Sequence, residues 1–277
     1  MTKAIKPTAR NYNPFTWGTR TYVMGIINLS PDSFSGDGIS SVEDAIALAK
    51  RMEAEGADII DIGGESTRPE ATPISAEEEI RRIVPAITRL YRELNIPLSI
   101  DTYKYDVARA AIAAGATILN DISGLKTDAR LAALAAEHNI PIIVTANQRG
   151  RQITGDIMTE AISDLRRAVQ YCKDVGVASK NIIVDPGLGF GKTTMQNLAI
   201  INRLEELKVL GCPIMIGPSR KSFIGLTLGL PNEECLEGTT AAAVIGIARG
   251  ADVVRVHDVK QMVRAARLSD AIIRGRS

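Results

Sequence analysis

The 277-residue chain carries 33 Lys and Arg against 32 Asp and Glu, a formal net charge of +1, and is 45% hydrophobic. That balance, with no basic run, argues against a nucleic-acid or membrane-surface partner. No apolar stretch of about 18 residues is available for a bilayer span, and the start MTKAIKPTARNYNPF lacks the apolar core of a signal peptide, so a cytoplasmic location is expected. Cys172, Cys212 and Cys235 are odd in number, widely separated and outside any CxxC pattern, which argues against a disulfide scaffold or a zinc knuckle.

Residues 1–20 fall outside any repeat. They hold the single tryptophan, Trp17, close to Phe15, and are read as an extension that folds back over the bottom of the fold or pairs there as a short hairpin, because that aromatic pair is costly to leave in water. Residues 21–277 are read as one domain. Eight short apolar runs follow in order: 22–30 (YVMGIINLS), 57–66 (ADIIDIGGES), 97–103 (PLSIDTY), 117–123 (TILNDIS), 141–147 (PIIVTAN), 181–187 (NIIVDPG), 213–219 (PIMIGPS) and 251–258 (ADVVRVHD). Continuous Ile/Val/Leu runs of this length suit strands buried on both faces, as in a parallel sheet. Helical spacing occupies 42–55, 76–94, 104–114, 129–138, 157–175, 195–210 and 235–249 between them. The alternation predicts an α/β fold, a (β/α)8 TIM barrel, whose active site lies at the C-terminal ends of the strands. There the runs carry Asn28, Asp61, Asp101, Asn120, Asn147, Asp185, Ser219, Arg255 and His257.

Four longer connections, 31–40, 67–75, 148–156 and 220–234, are candidate binding loops, since most strand-to-helix connections are shorter. The stretch 187–193 (GLGFGKT) resembles a P-loop, but that spacing needs glycine where Pro186 stands, and proline also removes a backbone donor. A close-approach turn beside a flat ligand is the better reading. With only His138 and His257, no histidine cluster for a hydrolytic metal can be assembled.

Asp101, Asn120 and Asp185 end three strands. One such residue is as often structural as functional, but two carboxylate acceptors and one amide together suit a flat heterocycle with an aminopyrimidine edge, whose N–H donors need fixed acceptors. Arg220 reads equally well as a surface cation. Lys221 and Arg255 stand where barrels commonly hold phosphate, after strands seven and eight.

The motifs 24–38 (MGIINLSPDSFSGDG), 61–69 (DIGGESTRP), 99–101 (SID), 120–124 (NDISG), 184–192 (VDPGLGFGK), 219–225 (SRKSFIG) and 255–258 (RVHD) closely resemble the dihydropteroate synthase family, in order and at the right strand ends. The resemblance implies a homodimeric barrel that condenses a 6-hydroxymethyl-dihydropterin diphosphate with 4-aminobenzoate, using Mg²⁺. It further implies that Asp101, Asn120 and Asp185 hold the pterin edge, that Lys221 reaches the ring, and that Arg255 covers the ring and approaches the diphosphate. Asn28, Thr67, Arg68 and His257 would surround the diphosphate, with Asn28 also touching Mg²⁺. Ser222, Lys221 and the Thr67–Arg68 loop would form the 4-aminobenzoate site, with Phe190 as an apolar wall. Asp32, Asp37, Arg68 and Lys221 are the candidate catalytic groups.

Two places depart from the family pattern. The acid after strand one is displaced by one position, so that either Asp32 or Asp37 is the one facing the reacting centre. The end of strand five reads Thr145-Ala146-Asn147-Gln148-Arg149 in place of a Met-His-Met-like end, with an expected loss of a histidine and of apolar cover near the pterin. The rival readings are a pterin-binding methyltransferase that serves a corrinoid protein, and a non-catalytic pterin carrier. The first has no leaving diphosphate to occupy Arg68, Lys221, Arg255 and His257, and the second needs no second substrate site.

Overall fold

The structure, a computed structural model, describes residues 15–29, 41–66 and 72–275. The apolar runs become β1 (Tyr22–Asn28), β2 (Ile59–Gly63), β3 (Leu98–Asp101), β4 (Ile118–Asp121), β5 (Ile142–Thr145), β6 (Ile182–Asp185), β7 (Met215–Ile216) and β8 (Val253–Val256). All pair in parallel in the order β6-β5-β4-β3-β2-β1-β8-β7, and a bridge between Val184 and Ile214 brings β7 back to β6. The sheet is therefore a barrel, as expected.

Side-chain alternation sorts each strand into two environments. Tyr22, Met24, Ile59, Ile118, Ile143, Ile183, Met215 and Val253 form one buried cluster inside the barrel. Their sequence neighbours, such as Val23, Ile60, Leu119, Val144, Val184 and Val254, belong to the larger core between sheet and helices. Two residues further along, the same inward parity brings Asp61, Asn120, Asp185 and Arg255 to the mouth, and on β3 Asp101 follows Ser99 in the same way. An apolar plug thus sits beneath a polar layer built on the same strands.

Nine helices are seen among the described residues: α1 (Val42–Glu55), α2 (Ala76–Glu93), α3 (Tyr105–Ala114), α4 (Arg130–His138), α5 (Ile157–Asp174), α6 (Thr194–Asn202), α7 (Ser222–Leu228), α8 (Leu236–Ala248) and α9 (Val259–Arg274). Several begin on a side-chain cap, as the chemistry of orphan N–H groups favours; Thr193 and Gln196 make a reciprocal capping box at α6. Two expectations need correction. The helix expected over 195–210 stops at Asn202, and a 3-10 helix, Leu204–Leu210, follows. The long connection 220–234 contains α7, whose two turns bury Phe223 and Ile224 and end on Gly229 in the left-handed conformation. Beyond the last strand runs α9, and its Asp270 accepts from the Thr21 N–H at 2.7 Å and the Thr21 hydroxyl at 2.9 Å, fastening the end of the chain to the entry of β1.

At the opposite end of the barrel Phe15 stacks on Trp17 with ring centroids 4.8 Å apart, and Trp17 meets Tyr22 edge-on at 5.5 Å. The indole N–H donates to Lys180 O at 3.1 Å and the Gly18 N–H to Asp252 at 3.2 Å. The aromatic pair covers the bottom of the barrel, the first of the two arrangements expected; the extension before Phe15 lies outside the described residues.

Candidate active site

The mouth is built around an ion pair shared by three strands. From β8, Arg255 donates through Nε to Asp61 of β2 at 2.6 Å and through its terminal nitrogen to Asp101 of β3 at 2.7 Å. Asn120 of β4 donates its amide N–H to the same Asp61 oxygen at 3.0 Å. Opposite them on β6, Asp185 Oδ1 accepts the Gly187 N–H at 2.7 Å, which fixes its carboxylate. Burial pushes Asp101 well above the usual carboxylate range, to about 7, with Arg255 opposing the shift and Asp61 adding to it. Burial also raises Asp185, against the Gly187 hydrogen bond and the Lys221 charge.

Lys221, at the start of α7, faces these acids. Burial lowers its ammonium to about 8, Arg255 pushes the same way, and Asp185 and Asp101 pull back. Its Nζ lies 4.5 Å from the centroid of the Phe190 ring. The long stem passes so close to Gly189 that a Cβ there would come within 3.0 Å of Lys221 Cδ, and Gly189 has φ +79°, which favours glycine. Within the same glycine-rich turn Lys192 turns inward to Ala146 O and Gly187 O, both at 2.8 Å, and Gly189 N–H is taken by Asn197 at 2.8 Å. A turn that spends its donors on itself is no phosphate cradle.

On the cationic side His257 is held by Ser219, whose Oγ accepts the His257 backbone N–H at 3.2 Å and lies 3.0 Å from Nδ1. Arg220 pairs with Asp258 at 3.2 Å and is half-buried, so it is more than a surface cation. Ser222 is exposed at the start of α7, next to Lys221. Asn28 ends β1 with its amide oxygen toward the glycine of β2; a Cβ on Gly63 would lie 3.5 Å from that oxygen and 3.7 Å from Asp101 Cβ. The mouth therefore unites Asn28, Asp101, Asn120, Asp185, Phe190, Lys221, Ser222, Arg255 and His257. Asp32, Asp37, Thr67 and Arg68 lie outside the described residues.

One expectation changes in detail. Asn147 is no ligand group of the mouth: its amide donates to Ile122 O at 2.9 Å and its carbonyl accepts the Arg149 N–H at 3.0 Å, bracing the neighbouring loop. Ala146 is packed into the core outside the barrel, whereas Thr145 before it is buried opposite Asp185 of β6. The polar end is secured from within, for buried Gln148 donates through its amide to Asp164 at 3.3 Å and through its backbone N–H to Phe190 O at 3.2 Å. Three groups near the site received no role from the sequence. Asp61 could have been found from its inward parity with Ile59; Lys192 and Arg149, the latter 4.7 Å from the Phe190 centroid, depend on contacts made by loops.

Residues 24–257 match the family of pterin-binding enzymes. The chain is 49% identical to the dihydropteroate synthase of Bacillus subtilis over 97% of its own length and 92% of the relative's. It is 50% identical to that of Clostridium beijerinckii over 94% and 97%. A Clostridium difficile dihydropteroate synthase solved in the presence of pteroic acid superposes with a TM-score of 0.89 at 46% identity, covering 94% of this chain and 99% of that one. One from Xanthomonas albilineans, solved with 4-aminobenzoic acid, gives 0.86 at 39% identity over 91% and 93%. The chain belongs to the pterin-binding enzyme family. Within that family its activity is that of the dihydropteroate synthases, transferases of folate biosynthesis.

Proposed function

We propose that the mouth binds 6-hydroxymethyl-7,8-dihydropterin diphosphate beside 4-aminobenzoate and joins them with release of pyrophosphate. One observation carries this reading. Asp101 Oδ1 and Asn120 Oδ1 are buried acceptors with no hydrogen-bond partner among the described residues, and they stand in the same layer as Arg255. Buried acceptors without partners are costly, and the N–H donors of an aminopyrimidine would relieve that cost. Asp101, Asn120 and Asp185 hold the pterin edge, and Lys221 and Arg255 border its ring.

Departure of diphosphate leaves a cation spread over the pterin, so the site must stabilise opposite charges on its two sides. Arg255 and His257 face the leaving anion, with Asn28 beside it, the role the family resemblance also gives to Arg68 and Thr67. Asp101 and Asp185 face the developing cation, the role the resemblance also gives to Asp32 or Asp37. The aromatic amine is nucleophilic when neutral, so its attack requires no strong base. Phe190, Lys221 and Ser222 hold 4-aminobenzoate, a role the family resemblance extends to Thr67 and Arg68. This charge separation disfavours the corrinoid methyltransferase reading, which has no leaving anion for Lys221, Arg255 and His257.

The mouth also fits Mg²⁺. No group of three or more His, Cys, Asp or Glu arranged to hold a metal occurs among the described residues, while Asn28 offers one neutral carbonyl oxygen. Magnesium retains waters and leans on substrate phosphate, so such a sparse protein contribution suits it. When bound with the diphosphate it would neutralise the leaving group.

A homodimer is proposed, since large apolar side chains stand exposed on α7, α8 and α9, among them Leu226 at 73%, Ile245 at 47% and Ile272 at 74%. Among the described residues no helix is long and apolar enough to cross a membrane. The cysteines are unpaired, which suits the reducing cytoplasm proposed as its location. The test is pyrophosphate release by the purified protein with Mg²⁺: release that requires both the pterin diphosphate and 4-aminobenzoate is expected, and release unaffected by omitting the aromatic acid would contradict the reading.

A further inference from the structure

Asp61 is wholly buried within the barrel and makes none of the substrate contacts proposed above. Its Oδ2 accepts from Asn120 Nδ2 at 3.0 Å and from Arg255 Nε at 2.6 Å. The oxygen that accepts from Arg255 also accepts from Asn120, so the Asn120 amide turns its NH2 group toward Asp61. Asn120 Oδ1 is then committed to the other side of the amide, where it is a buried acceptor without a partner among the described residues. Arg255 is constrained in the same way: Nε is held by Asp61 and the terminal nitrogen by Asp101 Oδ2, which leaves Asp101 Oδ1 as a second unpartnered acceptor. Reversing the Asn120 amide would set its carbonyl oxygen against a carboxylate and turn a donor into the layer of acceptors.

We infer that Asp61 is a positioning residue that sets the polarity of the mouth, locking Asn120 with its carbonyl outward so that the rim accepts hydrogen bonds and discriminates against a ring presenting an acceptor at the same place. The inference rests on the pterin reading and deepens it. The preferred ligand class is a flat heterocycle with an aminopyrimidine edge. The disfavoured one is its isostere with a carbonyl in place of the exocyclic amine.

The experiment is calorimetry with 6-hydroxymethylpterin and the corresponding lumazine, in which a carbonyl replaces the amine, on the wild type, Asp61→Ala and Asp61→Asn, with melting curves to confirm folding. Asp61→Ala removes the acceptor that orients Asn120, so the pterin-over-lumazine affinity ratio should fall by at least about five-fold. In Asp61→Asn, Arg255 Nε still demands an oxygen at the Oδ2 position, and that oxygen still accepts from Asn120. This variant should therefore keep the ratio within about two-fold, even though affinity for both rings changes with the lost charge. A role confined to balancing the Arg255 charge predicts equal behaviour of the two variants. The inference is overturned if Asp61→Ala weakens both ligands with an unchanged ratio, or if Asp61→Asn loses selectivity as fully as Asp61→Ala. A wild type that binds neither ring would contradict the pterin reading instead.

Discussion

The bottom and the mouth of the barrel are made by the same strands, with the same inward parity, from opposite kinds of residue. Ile59, Ile118, Ile143 and Ile183 fill the lower interior with aliphatic side chains that are at most 1% exposed. Two residues along each of those strands stand Asp61, Asn120, Thr145 and Asp185, also buried. On those four strands the lower layer satisfies itself by packing, while on β3 the inward residue below Asp101 is Ser99, whose buried hydroxyl has no partner among the described residues. In the upper layer Asp61, Asp101 and Asn120 each retain a buried oxygen with no partner among the described residues. Folding alone favours the first arrangement, since an unsatisfied buried acceptor costs about 1–3 kcal/mol. The second is sensible where a ligand completes the set.

Breaking the lower layer should have the largest effect on the fold. Ile183→Ala removes a side chain 1% exposed at the centre of the plug, and a loss of about 2–5 kcal/mol is expected from urea unfolding. Folded variant should retain its pterin selectivity, because the acceptors lie one layer above.

In the upper layer, pH sharpens the comparison. Burial raises Asp101 to about 7, so the folded protein keeps a proton there that the unfolded chain has already lost. Its contribution to stability is complete below the ordinary carboxylate range and disappears as pH rises through about 7. Pterin binding has the opposite slope, since N–H donors require the ionised acceptor. Affinity for the free pterin should rise about five-fold between pH 6 and 7, following the ionised fraction of a group with that value. Asp101→Asn should flatten this rise; an equal rise in that variant would assign the dependence to another group.

The two layers also differ in how far they could be read from the sequence. The aliphatic runs announce the strands, because a parallel sheet buries both faces, and their polar ends place Asp101, Asn120, Asp185 and Arg255 before any coordinate is known. What escaped depends on contacts distant in sequence. Asp61 looks like one strand-end acid among several until Asn120 and Arg255 are seen to meet on a single oxygen, 59 and 194 residues away. The inward turn of Lys192 depends on Ala146 O, 46 residues earlier, and overrides the phosphate-loop appearance of its motif. Helix α7 is too short for periodicity to reveal, whereas α9 has a clear apolar face that burial against β1 and α8 explains.

The central claim, that the upper layer is shaped for a ligand and not for the fold, is tested most directly at Asp185 by measuring melting temperature and pterin affinity on one preparation of Asp185→Asn. The exchange keeps the shape and removes a buried charge, so the melting temperature should stay level or rise. The amide must turn an NH2 group toward a ligand donor or lose a bond, and affinity for both the free hydroxymethyl pterin and its diphosphate should fall at least about five-fold. A lower melting temperature with undiminished affinity for both pterins would show that Asp185 serves the barrel and would contradict the claim.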